Sequence, residues 1–310
     1  MADDLDWAWQ ELTLKRRLAE TDGDAFEALF GDIAKAAWGA DYIPTIPMGR
    51  RGDLKCDGFR QSLGIVHQLY GPRYGQANVD HALAKIDEDF RGAHAHWGTL
   101  LKTWIFVVGL YQGRVPSELA RAVATLSAEL GVPAQIWTRT EIIALAATLP
   151  ESDRKALFGA APDRGDMVRH VTYANIGRAL AFVRGHEAAA PLDPVPLPPK
   201  VALKAEYNSL SAAAKRFLGL GQTGADHVRR YLMDQVDPAE AQRMADGFGE
   251  RYKTLIAEGA EPDVAFGEML SFAGGGTTDV ARDAAALAVV AHFFSTCEIF
   301  DRPPADWQPA

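Results

Sequence analysis

Cysteine is nearly absent from this chain of 310 residues; Cys56 and Cys297 are the only two. Two thiols so far apart in sequence exclude a disulfide framework and a Cys-rich zinc site, and they lead us to expect a cytoplasmic protein. Long apolar runs are lacking as well. None reaches the roughly 18 residues a membrane-spanning helix needs, and the best, Ala284 to Phe294, is short and contains His292. The opening MADDLDWAWQELTLKRRLAE is acidic and has no apolar signal core, so no membrane association is expected. An excess of basic residues is missing too: 32 Lys and Arg face 41 Asp and Glu, for a net charge of −9. That sign argues against a non-specific coat on nucleic acid. It leaves open a local groove, and a metal-dependent nuclease site must itself be acidic. Neither GxxxxGK[ST] nor GxSxG occurs, which removes a P-loop ATPase and a hydrolase of the nucleophile-elbow type.

What is present is an ordinary globular composition, 48% hydrophobic and 24% charged, long enough for two domains. The clearest seam is Ala188 to Pro199, AAAPLDPVPLPP, with five prolines in twelve residues. Such a run cannot be helical and favours an extended polyproline form. It is therefore expected to link a domain over residues 1–187 to a second over residues 200–310, with the linker at 188–199.

In the first part, helices are expected over Leu5–Glu20 and, behind Asp24 as N-cap, over Ala25–Trp38 with Gly39 ending it. Asp41–Pro47 reads as extended, Gly49–Gly52 as a turn and Asp53–Arg60 as the start of a strand. Leu63–Tyr70 follows closely enough for a hairpin. Then come a helix over Val79–Trp97, a buried strand over Thr103–Gly109, a helix over Ser117–Leu130, a strand over Ala134–Thr138 and a helix over Arg139–Leu149. This order predicts an α/β domain, a mixed sheet flanked by helices. The part after the linker is expected to be all-α, with helices at Tyr207–Leu218, Ala225–Gln235, Pro238–Glu258, Pro262–Ser271 and Thr278–Cys297, punctuated by Gly219, Gly221 and Gly274 to Gly276.

The chemistry-bearing stretch is Gly49 to Pro72, GRRGDLKCDGFRQSLGIVHQLYGP. On an extended segment residues two apart share a face, so Asp53, Lys55 and Asp57 are expected to point the same way. A short hairpin would bring Gln68 on the next strand beside Asp57. Oxygen ligands on adjacent strands suit a hard divalent cation such as Mg²⁺ (or Mn²⁺), and a lysine at the rim would orient water near a phosphate. The same residues also fit a solvated strand edge with a Gly-rich turn.

The segment resembles the PD-(D/E)xK restriction-endonuclease-like fold, in its Mrr-like branch. Phe26-Glu27 stands in the helix, Gly52-Asp53-Leu54-Lys55-Cys56-Asp57-Gly58 in the turn and strand, and Gln68-Leu69-Tyr70 on the next strand. The resemblance implies Glu27, Asp57 and Gln68 as metal ligands and catalytic residues, with Asp53 nearby. It departs at Tyr70, which stands where the catalytic lysine is expected; a phenol with its usual pKa of about 10 is a poor substitute for an ammonium. The lysine migrates within this superfamily, and Lys55 is taken first, Lys85 second.

The stretch Lys85 to Ala93, with Trp97 and the strand Trp104 to Val107, is similar to the nuclease-type effector subunits of ABC-three-component anti-phage defence systems, the group that includes Lamassu. Arg251-Tyr252 and the closing His292 to Phe300 are similar to one of their helical C-terminal domains. This implies an effector held by an SMC-like ABC ATPase subunit and a third subunit, forming a homo-oligomer when active. The reading is a metal-dependent DNA endonuclease of little sequence specificity, with Arg50, Arg51, Arg60 and Arg73 placed to meet phosphates. The alternative is an inactive nuclease-fold subunit that serves in DNA binding or assembly. His67 should face away from Gln68, and His292 reads as a core histidine. The apolar positions Phe248, Tyr252, Leu255, Phe266, Leu270, Phe293, Phe294 and Phe300 are expected to need a second layer, in part from a partner.

Overall fold

The computed structural model describes residues 2–46, 54–72, 78–109, 113–184, 201–277, 279–296, 299–304 and 307. The Gly49–Gly52 turn, Asp53, Arg50, Arg51, Arg73, the linker at 188–199 and Cys297 lie outside them. The chain divides into two compact units, one over Arg17–Leu157 and the other formed by Met1–Arg16 together with Phe158–Ala310.

The first unit is built on a five-stranded mixed sheet in the order β1-β2-β3-β4-β5. Helix α2 (Gly23–Trp38) leads into β1 (Tyr42–Pro44), β2 (Gly58–Arg60) and β3 (Ile65–Tyr70), an antiparallel meander. Helix α3 (Val79–Trp97) then crosses to β4 (Thr103–Val108), and α4 (Ser117–Leu130) to β5 (Ala134–Trp137), so that β3, β4 and β5 run parallel. α5 (Arg139–Ala147) and α6 (Glu151–Phe158) follow. The extended stretch expected at Asp41–Pro47 is thus a sheet strand at Tyr42–Pro44. The strand expected from Asp53 is confined to Gly58–Arg60, because Leu54 and Lys55 take left-handed backbone angles, φ 58° and 59°.

Local chemistry sets the ends of these elements. The Asn78 side chain accepts from the Asp80 and His81 N–H groups at the start of α3, and Thr138 with Glu141 forms a capping box on α5. On one sheet face Val66, Tyr70, Trp104 and Phe106 meet Ile86 and Phe90 of α3 and Leu126 of α4, with Phe90 stacked on Trp104 at 4.4 Å. On the other face His67 is enclosed by Phe30, Trp38, Tyr42 and Trp137, ring centroids 5.4–5.9 Å away. Gly71 and Gly109, just past β3 and β4, let α2 come close; a Cβ on either would lie 2.7 Å from the Phe26 side chain. The first turns of α2 are thereby held at the carboxyl ends of β3 and β4, where open α/β sheets form ligand crevices.

The second unit is helical: α1 (Ala2–Glu20, up to Arg16), α7 (Arg164–His170), α8 (Tyr173–Arg184), α9 (Val201–Tyr207), α10 (Ala212–Gln235), α11 (Pro238–Ala257), α12 (Pro262–Phe272) and α13 (Val280–Ser295). α13 lies at its centre, with Ala284 through Ala291 all buried. The two helices expected at Tyr207–Leu218 and Ala225–Gln235 are instead α9 and one continuous α10. Two of its glycines are packing residues, since a Cβ on Gly221 would fall 2.4 Å from the Leu287 carbonyl oxygen and one on Gly224 2.8 Å from the Ala288 Cβ. The compact units also part at residue 157 and not at 187: Met167, Val171, Ile176 and Leu180 are buried in the helical core, as are Trp9 and Leu12 of α1. These segments supply the second layer anticipated from a partner, and Phe248, Tyr252, Leu255, Phe266, Leu270, Phe293, Phe294 and Phe300 are all buried within the unit. Among the described residues no helix is long and apolar enough to cross a membrane.

Candidate functional site

The β2–β3 register pairs Gly58 with His67, which carries Asp57 to the side of Gln68. The Gln68 amide donates to Asp57 Oδ2 at 2.6 Å, and the Leu69 N–H donates to the same oxygen at 2.6 Å. Gln68 is only 2% exposed, and its Oε1 has no hydrogen-bond partner among the described residues. A buried acceptor left unmade costs about 1–3 kcal/mol. His67 faces away, as the alternation of the strand requires. It shares a 3.3 Å contact between Nδ1 and the Gly58 carbonyl, and burial pushes its pKa down to about 4.

Lys55 does not share the face of Asp57, because the chain is not extended there. Two left-handed residues cost roughly 1–2 kcal/mol each, and α3 holds them in place. The Trp97 indole N–H donates to the Leu54 carbonyl at 3.2 Å. The Lys55 Nζ lies 2.6 Å from Glu88 Oε1 and 2.9 Å from Asp89 Oδ1. Gly92 leaves room for the lysine stem; a Cβ there would be 2.6 Å from Lys55 Cγ. The hydrogen bonds it donates to Glu88 and Asp89 hold the Lys55 ammonium above its ordinary pKa. Lys85, the other candidate, has its Nζ 2.8 Å from Asp89 Oδ2. Both lysines therefore converge on one buried carboxylate of α3. Tyr70 stacks on Phe106 and shares a 3.2 Å hydrogen bond with His81 Nδ1.

Glu27 is exposed on α2 beside Phe26. Its relation to Asp57 is reported by Tyr42, a residue the sequence reading passed over. The Tyr42 hydroxyl is buried, has no partner among the described residues and lies over Gly58, where a Cβ would be 2.0 Å from it. Burial raises its pKa strongly, and the ionisable groups of Cys56, Asp57 and Glu27 raise it further. One protonated phenol thus feels both carboxylates. The glycine of Asp57-Gly58 was the available signal, since it is required beneath the phenol. Asp53 lies outside the described residues. Arg60 is engaged by Asp41 at 3.0 Å and lies over the Trp38 ring at 4.8 Å.

Among the described residues no group of three or more His, Cys, Asp or Glu could hold a metal ion. Of the expected ligands, the structure joins Asp57 and Gln68 by a hydrogen bond; Glu27 is exposed on α2 and is linked to them only through its effect on Tyr42. Residues 188–301 match C-terminal domain 10 of the ABC-three component (ABC-3C) systems. The match supports membership of such a defence system. It takes in α9 to α13, and the sheet-bearing unit lies outside it. No curated protein and no solved structure matches the chain.

Proposed function

We propose that the chain is the nuclease-type effector of an ABC-three-component anti-phage complex, cutting DNA with a divalent cation and little sequence specificity. The observation that carries the reading is the buried Gln68 Oε1, unpartnered among the described residues, beside Asp57 and within an α-β-β-β-α-β arrangement (α2 through β4) that agrees with the restriction-endonuclease-like resemblance. Glu27, Asp57 and Gln68 would hold Mg²⁺ or Mn²⁺. Bound there, the cation would supply Lewis-acid polarisation of a phosphodiester oxygen. Asp57 is oriented by the Leu69 N–H and the Gln68 amide, both of which donate to its Oδ2. Tyr42 stays protonated and offers a donor beside the two carboxylates. The domain-10-like segment supports a place in a multi-subunit complex, with an SMC-like ABC ATPase and a third subunit as partners, and the effector assembling with itself when active.

A second reading, an inactive nuclease-fold subunit for DNA binding or assembly, is favoured by the lysines. Lys55 and Lys85 are both committed to Asp89, and Tyr70 is committed to His81. Plasmid cleavage with Mg²⁺ or Mn²⁺, by the protein alone and with its partner subunits, separates the two. Cutting that falls at least a hundredfold in Asp57→Ala supports the nuclease. Absence of cutting under both conditions, with DNA still retained, supports the second reading.

A further inference from the structure

We infer that Tyr70 and His81 form a proton-transfer pair of the candidate nuclease site, with His81 as the base and Tyr70 as the residue that positions it. The inference rests on the nuclease reading above and names the group that does the work of an ammonium there. Side chains two apart on a strand share a face, so Tyr70, the last residue of β3, stands on the face of Gln68. Its ring stacks on Phe106, centroids 5.8 Å apart, and Tyr70 is only 9% exposed.

Lys55 and Lys85 are held by Asp89, and what stands beside Tyr70 is an imidazole. The Asn78 side chain accepts from the Asp80 and His81 N–H groups at 2.9 and 3.3 Å, which fixes the first turn of α3. From that turn His81 reaches the phenol: Nδ1 is 3.2 Å from the Tyr70 hydroxyl oxygen, and the ring centroids are 5.8 Å apart. His81 is itself exposed. Histidine exchanges a proton near neutral pH, which a phenol alone does not, and the bond made by one ring nitrogen sets the state of the other. With Nδ1–H donating to the Tyr70 oxygen, the lone pair of Nε2 is available to take a proton. In the step that follows, the oxygen of a water bonds to phosphorus and its proton passes to Nε2. The bond from phosphorus to the departing oxygen breaks; that oxygen keeps the electron pair and takes a proton from solvent. The imidazolium then returns its proton to solvent.

The test is plasmid cleavage with Mg²⁺ by the full chain in the presence of its partner subunits. His81→Ala should lower the rate at least a hundredfold, the scale of general-base catalysis, with DNA retention and the urea midpoint unchanged. Added imidazole should raise the rate of that variant at least tenfold and leave the wild type as it is. Tyr70→Phe keeps the ring stack; it should cost about tenfold in the wild type and nothing further in His81→Ala, because it acts through the imidazole. Wild-type cutting by His81→Ala, a loss that imidazole does not reverse, or losses that add in the double variant would overturn the inference and leave the nuclease reading standing. Absence of cutting by the wild-type chain would overturn both.

Discussion

In the sheet-bearing unit, buried Gln68 leaves an amide oxygen without a partner among the described residues; in the helical unit, Lys204, 0% exposed, gives its ammonium to the Phe294 and Ile299 carbonyls at 2.9 and 2.5 Å and lies 4.7 Å from the Phe294 ring centroid. Near Gln68, the Tyr42 hydroxyl and His67 Nε2 are likewise buried and unpartnered among the described residues. The helical unit uses buried charge to close itself: Lys204 caps the end of α13, and Arg251 meets buried Glu268 at 3.0 Å. Its counterexamples are Trp9, whose buried Nε1 is unpartnered among the described residues, and Asp283, whose Oδ1 accepts from the Thr277 N–H while Oδ2 is unpartnered among them. An unmade hydrogen bond at a buried polar atom calls for an explanation, a bound ligand or water among them. Satisfied ones distributed through a core are what a scaffold needs.

The comparison is most easily broken at Lys204. Lys204→Met should destabilise the helical unit by about 4 kcal/mol, two charge-assisted hydrogen bonds at roughly 1.5–3 kcal/mol each, read from urea denaturation followed by circular dichroism. A change below 1 kcal/mol would mean that the buried ammonium closes nothing. Next in size is Asp283. Burial raises its pKa from 3.8 to about 6, so its contribution is fully present below about pH 3.8 and is lost as pH rises through 6. Asp283→Asn should gain up to about 3 kcal/mol at pH 7 relative to wild type and nothing near pH 3.5.

His67 carries the opposite sign. Burial lowers its pKa from 6.5 to about 4, so its contribution is present above pH 6.5 and lost as pH falls through 4. At pH 5.5 that loss is about 1 kcal/mol by linkage, and His67→Phe should flatten the wild-type slope between pH 6.5 and 4. A variant as acid-sensitive as wild type would assign the slope to other groups. The smallest effect sharpens the contrast. Gln68→Leu should change stability by less than about 1 kcal/mol, because it removes an unmade acceptor along with one hydrogen bond, yet it should lower Mg²⁺-dependent cutting at least tenfold. A large loss of stability with cutting retained would make Gln68 a structural residue.

The apolar runs of β3 and β4 and the pairing of Asp57 with Gln68 were legible because each rests on residues close in sequence; the cap of α2 was read as Asp24 but is Asp22. The direction of Lys55 was not legible: the left-handed pair Leu54 and Lys55 is stabilised by Glu88, Asp89 and Trp97, more than thirty residues away. Tyr42 belongs to the same class, since only strand pairing lays its ring over Gly58. Gly221 looks like a helix break in one dimension and proves to be a contact point once α13 lies against it. Sequence by itself determined most helices and strands outside residues 151–184, where three helices went unread, and that Asp57 meets Gln68 across a hairpin. Tertiary structure alone decided where the lysines are spent and which helices join the second core, because those outcomes depend on contacts between segments whose separation along the chain carries no pattern.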